Sequence, residues 1–401
     1  MYFGDWLSRW NVYSPNKVGL IDYPDSPLEN NKGKSGREFT YAELYRRSNR
    51  VANYLREHGL RRGDRVAILA QNGVEHIDLF FATAKLGAML VPLNYRLTFS
   101  GLEYLLNDTS PKLFFATQEY DELAQSLARA GAGPNPISIE SELQAVLQKG
   151  DATPPPEIRL EQSDPHLILY TSGTTGHPKG ALITHGQILW NSVNTAISLR
   201  LTGDDISTIH TPFYHTGGWN VLGTPLLHFG GQLVLMGRWN CEIFLEIIAQ
   251  HRVTLFFGLP TLFKMLMASP RFNDTDFSSV RIVMSGGEPC PLSVLETFAR
   301  RGMPIRQGYG LTEVGPNVYS LPAADAVRKA GSVGFPNFHV EARIVDDRMN
   351  EAPRGQVGEL IMAGPMVCGG YWRKPEATAE AIVDGWFRTG DLFRQDEDGY
   401  Y

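Results

Sequence analysis

The sequence predicts an α/β protein: two helix-flanked, mainly parallel sheets in αβαβα layers, plus a small distorted antiparallel β-barrel. Three observations point there. Short apolar runs alternate with helical patterns through most of the chain. Many of those runs end in polar or glycine-rich turns. After about Pro316 the texture changes to short alternating runs split by Gly, Pro and Asp. Strands alternating with helices imply parallel sheets covered on both faces, and ligand loops then gather at the carboxyl ends of the strands. Short alternating runs between turn residues imply antiparallel pairing.

Taken in order, residues 65–70 (RVAILA) form a buried strand. A helix follows from about Gly73 to Leu86, with Ile77, Phe80, Phe81 and Ala84 on one face. Residues 88–92 and 113–116 are the next strands. Residues 132–156, rich in Pro, Gly and small side chains, read as a surface excursion with one helix. Residues 166–169 (HLIL) form a strand that empties into a glycine- and hydroxyl-rich loop. Residues 232–236, 254–257 and 281–284 are further strands. Residues 331–336, 340–345, 358–362 and 386–391 supply the small β unit. At 401 residues the chain is long for one core. Residues 1–315 are expected to form two α/β subdomains, and 316–401 the barrel.

Hydrophobic residues at 43% and charged residues at 20% fit an ordinary globular protein. Net charge is −6 and no run of Lys and Arg makes a basic stripe, which argues against a nucleic-acid partner. Cys241, Cys290 and Cys368 lie far apart, with no CxxC pair and no zinc spacing. They read as buried free thiols in a reducing compartment. The N-terminal residues MYFGDWLSRW carry Asp5 and lack a signal peptide's apolar core. No stretch has the apolar length of a membrane span. A cytoplasmic location is expected.

The densest chemical signal is residues 170–180, YTSGTTGHPKG. Glycines let successive backbone N–H groups face an anion. Thr171, Ser172, Thr174 and Thr175 add hydroxyl donors, and Lys179 adds a mobile cation. Gly173 and Gly176 complete the loop. Five residues beyond Gly173 stands Pro178, where a Walker A loop needs Gly, so a P-loop NTPase is disfavoured.

A second run is Gln307-Gly308-Tyr309-Gly310-Leu311-Thr312-Glu313. Flanking glycines let the Tyr309 ring lie against a flat base. Thr312 can donate to a phosphate, and Glu313 offers a hard oxygen of the kind Mg²⁺ prefers. Upstream, the paired Gly286 and Gly287, followed by Glu288, allow either close approach to a ligand or a tight turn before a helix near Leu292. Farther on, Arg388-Thr389-Gly390-Asp391-Leu392 presents a carboxylate able to accept from both hydroxyls of a ribose. Residues 212–219 (PFYHTGGW) hold one titrating group, His215; a lone histidine is more often a structural hydrogen-bonder.

In this order and spacing the runs resemble the signatures of the adenylate-forming superfamily, which includes acyl-CoA synthetases, firefly luciferase and the adenylation domains of peptide synthetases. The resemblance spans nearly the whole chain. It implies that the 171–176 loop and Lys179 hold the phosphates of ATP, with Gly286, Gly287, Glu288 and Tyr309 along the adenine. Gln307, Gly308 and Gly310 frame that site, the two glycines also bordering the acid. Thr312 falls on the α-phosphate, Glu313 on Mg²⁺ and Asp391 on the ribose. Lys179, Thr312, Glu313 and His215 are the candidate catalytic residues, His215 lying by the substrate carboxylate or the acyl tunnel.

Amino-acid-activating relatives place an aspartate in this last segment, but no carboxylate occurs between Thr211 and Asn220. An ammonium buried there without a partner would be costly. The substrate expected is a plain carboxylic acid, first a medium- or long-chain fatty acid, with Trp219, Val221 and Leu222 suiting its tail. Alternatives are an aryl or arylalkanoic acid, loading of a carrier protein, and a non-catalytic nucleotide-binding protein of the same fold. By resemblance an acyl-adenylate forms from ATP, and coenzyme A then displaces AMP. A homodimer is compatible with the sequence. Family members continue into a mobile lid carrying a catalytic lysine, so a chain closing at Asp398-Gly399-Tyr400-Tyr401 is expected to be the large N-terminal portion and to adenylate poorly alone.

Overall fold

A computed structural model describes residues 4–23, 36–171 and 177–401. The chain divides into two compact units. The first comprises residues 1–186 with 210–215 and 235–238; the second holds the remainder.

In the first unit, β1 (Val18–Tyr23) and β2 (Arg37–Thr40) form an antiparallel pair. A six-stranded sheet follows from β3 (Arg65–Leu69), β4 (Met89–Pro92), β5 (Leu113–Ala116), β6 (Pro136–Ser138), β7 (Pro165–Thr171) and β8 (Lys179–Thr184). Its order is β6-β5-β3-β4-β7-β8, and every pairing is parallel except β7 with β8. The 132–156 excursion therefore contributes more than a helix. It supplies β6 at the sheet's edge, where a proline such as Pro136 at the first position of the strand is tolerated. The helix Gln144–Lys149 then leads into backbone held by Arg50, Asn49 and Asn53, whose side chains donate to the carbonyls of Leu147, Ala152 and Thr153 at 2.7–3.1 Å.

The helix Tyr41–Glu57 starts on a capping box: Thr40 Oγ1 accepts from Glu43 N–H at 3.2 Å, and Glu43 returns to Thr40 N–H at 2.8 Å. Such a cap contributes about 1 kcal/mol. The helix Val74–Leu86 closes on Gly87, left-handed at φ 63°. The expected apolar face at Ile77, Phe80, Phe81 and Ala84 is buried, but so is nearly every other residue of the helix. Its charged members survive burial by pairing. Asp78 takes two bonds from Arg47 at 3.0 and 2.6 Å, and Lys85 meets Asp5. Periodicity alone could not reveal these partners, which come from the middle of the helix Tyr41–Glu57 and from the N-cap of the helix Trp6–Tyr13.

In the second unit, β9 (Ile206–Ile209), β10 (Gln232–Met236), β11 (Leu255–Gly258), β12 (Ile282–Ser285), β13 (Ile305–Leu311), β14 (Gly315–Ser320) and β15 (Phe335–Pro336) appear in chain order. The run β15-β14-β13-β12-β11-β9 is parallel from β13 to β9 and antiparallel at the β13-β14-β15 end. Of the expected small β unit, residues 340–345, 358–362 and 386–391 fall on β16 (Glu341–Val345), β17 (Gly358–Ala363) and β19 (Trp386–Phe393), joined by β18 (Ile382–Val383). Residues 331–336 do not join it, because β15 pairs with β14 at the end of the larger sheet. The unit is an antiparallel half-barrel ordered β16-β17-β19-β18. Its inner face meets β14 in a cluster of Val314, Val318, Tyr319, Leu360, Met362, Met366 and Phe387.

Cys290 and Cys368 are buried and Cys241 is partly so; all three are free thiols. Among the described residues, no helix is long and apolar enough to cross a membrane.

Candidate functional site

In the first unit, β7 and β8 run antiparallel with Thr171 opposite Lys179. Thr171 Oγ1 reaches the Lys179 carbonyl at 3.5 Å. Ser172, Gly173, Thr174, Thr175 and Gly176 lie outside the described residues. The two legs of their loop are anchored nonetheless. Tyr170 donates to Asp108 at 2.5 Å on one side. On the other, Tyr104 stacks on His177 at 4.9 Å and donates to the Pro178 carbonyl at 3.3 Å. Asp108 and Tyr104 belong to one helix, Phe99–Thr109, so a single element sets the width of the loop's base. The loop returns into a strand and not into a helix, as a Walker A loop would.

The His215 segment lies in the same unit. Asn72 grips it with both ends of its amide, donating to Thr211 O and accepting from Phe213 N–H, each at 3.0 Å. His215 keeps an exposed edge, and its ring sits 4.6 Å from that of Tyr214. Crowding by neighbouring side chains, and then the Arg96 guanidinium, draw its pKa below the ordinary imidazole value. It is neutral at pH 7, able to hydrogen-bond a carboxylate without carrying charge.

In the second unit, parallel pairing of β12 with β13 puts Ser285 opposite Gln307. The two glycine runs thereby become neighbours: a Cβ on Gly286 would stand 3.3 Å from Gly308 O. Gly287 is left-handed at φ 82°, and Glu288 is exposed. A Cβ on Gly308 would meet Tyr319 O at 3.0 Å, and one on Gly310 would fall 2.3–2.4 Å from the backbone of Gly315 and Pro316. Gly310 is required by this close approach of two backbones. Gln307 spends its amide on structure, accepting from Cys290 N–H at 3.2 Å and donating to Ser332 O at 3.4 Å.

Tyr309 and Asp391, 82 residues apart, are brought into contact: the phenol donates to Asp391 Oδ2 at 2.6 Å. The Tyr309 ring also meets Phe393 edge-on at 4.9 Å. Burial, and then Asp391, push its pKa well above the ordinary phenol value, so it is a neutral donor at any physiological pH. Asp391 is itself set by Thr389, whose Oγ1 accepts from Asp391 N–H at 3.1 Å and donates to Leu360 O at 2.6 Å. With Oδ2 taken by Tyr309, Oδ1 can accept from a further donor.

Glu313 is 8% exposed, with Oε1 accepting from Tyr371 at 3.0 Å. Its backbone carbonyl accepts from Cys368 N–H at 2.7 Å. Burial, and secondarily the Glu313 charge, raise the Tyr371 phenol far above its usual range; the Cys368 thiol is pushed up to about 12, chiefly by burial. Among the described residues, no group of three or more His, Cys, Asp or Glu could hold a metal ion. One carboxylate still suits Mg²⁺, which keeps several waters and takes its other ligands from phosphate. Thr312 presents its carbonyl to Gln187 at 2.8 Å. Trp219, expected against the substrate tail, is 1% exposed and part of the core.

Sequence reasoning missed Asn72, Tyr371 and Gln187, each of which acts through a partner far away in sequence and sits in no compositionally unusual run. Thr389 lies inside the Arg388–Leu392 run, but its hold on Asp391 N–H and Leu360 O was not legible there.

The AMP-binding enzyme family matches residues 8–372. A feruloyl-CoA synthase from an Amycolatopsis species is 38% identical over 366 residues, 91% of this chain and 73% of the relative. The indoleacetate–CoA ligase of Aromatoleum aromaticum is 34% identical, with the whole of this chain aligned to 77% of that protein. Among solved structures, the Mycobacterium tuberculosis fatty acyl CoA synthetase superposes with a TM-score of 0.90 at 28% identity, covering all of this chain and 77% of that one. The chain belongs to the AMP-binding enzyme family, the adenylate-forming CoA ligases.

Proposed function

We propose that this protein activates an aromatic or arylalkanoic carboxylic acid with ATP and passes the acyl group to coenzyme A. The observation that carries the nucleotide half is the Tyr309–Asp391 contact at 2.6 Å. It joins a flat aromatic face to a carboxylate acceptor, as the base and ribose of a nucleoside require. A carboxylate is already ionised near neutral pH and attacks the α-phosphorus without a general base, breaking the bond to the β-phosphate so that pyrophosphate leaves; the thiol of coenzyme A then displaces AMP from the acyl-adenylate. The obstacle is electrostatic, because an anion approaches a polyanion. Lys179 and the donors of the 171–176 loop spread charge on the phosphates, with Thr312 at the α-phosphate. Mg²⁺, when bound beside Glu313, would neutralise further phosphate charge. His215, neutral and donor-capable, orients the acid's carboxylate.

The sequence alone placed a fatty acid first. Relatives named for feruloyl and indoleacetate substrates, at 38% and 34% identity, support placing an aromatic acid ahead of it. The fatty acyl CoA synthetase neighbour keeps a fatty acid as the second reading. ATP–pyrophosphate exchange by the protein carrying the family's lid domain, run against ferulate, indoleacetate and a long-chain fatty acid, tests the choice. Exchange highest with an aromatic acid supports it, and exchange only with the fatty acid reverses the order. MgATP binding without exchange for any acid supports the non-catalytic alternative.

A further inference from the structure

We infer that two side-chain amides one turn apart on a single helix, Gln187 and Asn191, are positioning residues for two different substrates: Gln187 for the nucleotide segment and Asn191 for the acid segment. The inference rests on the functional reading above.

The helix His185–Leu199 carries a buried polar stripe: Gln187, Asn191, Asn194, Thr195 and then the half-buried Ser198. The spacing of three and four keeps these residues on one face. Burying amides is costly unless each finds a partner. Here the partners are backbone groups of irregular segments that no ladder satisfies. Gln187 Nε2 donates to Thr312 O at 2.8 Å, inside the run that carries Glu313. Asn191 Nδ2 donates to Asn220 O at 2.6 Å, in the single turn Gly217–Val221 that follows His215 and contains Trp219. That turn is held from a second side by Asn317, which donates to Val221 O and Thr195 Oγ1, both at 2.8 Å. From the next helix, Gly223–Phe229, Thr224 donates to Asn220 Oδ1 at 2.9 Å, fixing the side chain of the residue whose carbonyl Asn191 holds.

Asn191 also limits what can follow Glu313. A Cβ on Gly315 would stand 2.9 Å from Asn191 Oδ1, and Gly315 is left-handed at φ 85°. One rigid helix therefore references both segments, with a separate amide for each. Neither amide reaches a substrate; each acts through the backbone it holds.

The test compares Gln187→Met with Asn191→Leu, near-isosteric changes that remove one donor each. Calorimetry on the full chain measures affinity for MgATP and, separately, for whichever of ferulate, indoleacetate or a long-chain fatty acid binds the unsubstituted protein. Gln187→Met is expected to weaken MgATP about three- to tenfold and leave the acid unchanged, the size of one net hydrogen bond. Asn191→Leu should weaken the acid about three- to tenfold and MgATP less, its only tie to the nucleotide segment being the packing of Asn191 Oδ1 against Gly315. Thr224→Val loosens the same turn with less risk to folding and should repeat the Asn191 pattern in weaker form. Equal losses for both ligands in every variant, or lower melting temperatures with both affinities intact, overturn the inference while leaving the functional reading in place. An unsubstituted chain that binds neither MgATP nor any of the acids overturns both.

Discussion

Replacing Tyr309 by Phe separates two contributions that one residue makes. The ring survives, so its face remains available to a base. What disappears is the donor to Asp391 Oδ2, a bond of 2.6 Å to a carboxylate. A hydrogen bond to a charged group contributes about 1.5–3 kcal/mol when shielded. Tyr309 is only partly buried, and water can replace some of the lost donation. An effect of about 1 kcal/mol is therefore expected, or roughly a fivefold loss of ATP affinity. Tyr309→Ala also removes the stacking face, worth about a further 1–3 kcal/mol. Because the phenol's pKa is raised, the difference between the Tyr and Phe forms should be flat from pH 6 to 9. A double-mutant cycle with Asp391→Ala, read by calorimetry with MgATP, isolates the pair. A coupling near 1 kcal/mol is expected, since removing either partner removes the same bond. Additive losses, or tighter binding by Tyr309→Phe, would refute the reading that the Tyr309–Asp391 pair serves the nucleotide.

Gly310→Ala should destabilise the second unit by about 3 kcal/mol in urea unfolding, because its methyl would overlap backbone that cannot move aside; a change under half that would mean the β13–β14 corner yields. Asp5→Asn should cost about 3–5 kcal/mol by leaving Lys85 buried as an uncompensated charge, measured the same way. Lys179→Ala should weaken MgATP binding at least tenfold with little change in melting temperature, since its charge serves the phosphates; unchanged calorimetric affinity removes that role.

Acid should also destabilise the fold. Burial draws His76 to about 3, and His185 and His210 to about 4, from 6.5. Below pH 6.5 the unfolded chain takes up protons that the native state refuses, so stability falls with pH until the native histidines titrate near pH 4. Asp22 and Asp78, raised to about 6 by burial, act in the opposite sense over the same range. His228, also drawn to about 4 by burial, and His166, held well below its usual value, add to the histidine side. The net expected loss from pH 7 to 5 is on the order of 5 kcal/mol, and a protein equally stable in urea at both values contradicts the burial of these rings.

How much of this was legible beforehand depends on distance along the chain. The strand Leu113–Ala116 and the strand Gln232–Met236 fall where apolar runs placed them, because a short buried strand is a local signal. The helix Val74–Leu86 was located within a residue, but its burial on nearly all sides was not, since the pairing of Asp78 and Lys85 comes from elsewhere. The 132–156 excursion hid β6, a three-residue strand too short to show alternation. Trp219 is 1% exposed, a burial its neighbours in sequence did not show, because burial is set by what packs around a segment and not by its composition.

By itself, the sequence determined the strand-forming runs, the glycines where backbones must pass closely, and the chemical types at each signature. These follow from backbone freedom, hydrophobic period and donor inventory, which are properties of a few adjacent residues. Only the tertiary structure decided that Tyr309 reaches Asp391 across 82 residues, that Tyr371 holds Glu313 across 58, and that Gln187 and Asn191 grip separate segments from one helix. Those partners are selected by sheet register and by the need to satisfy buried polar groups, and neither is a local property of the chain.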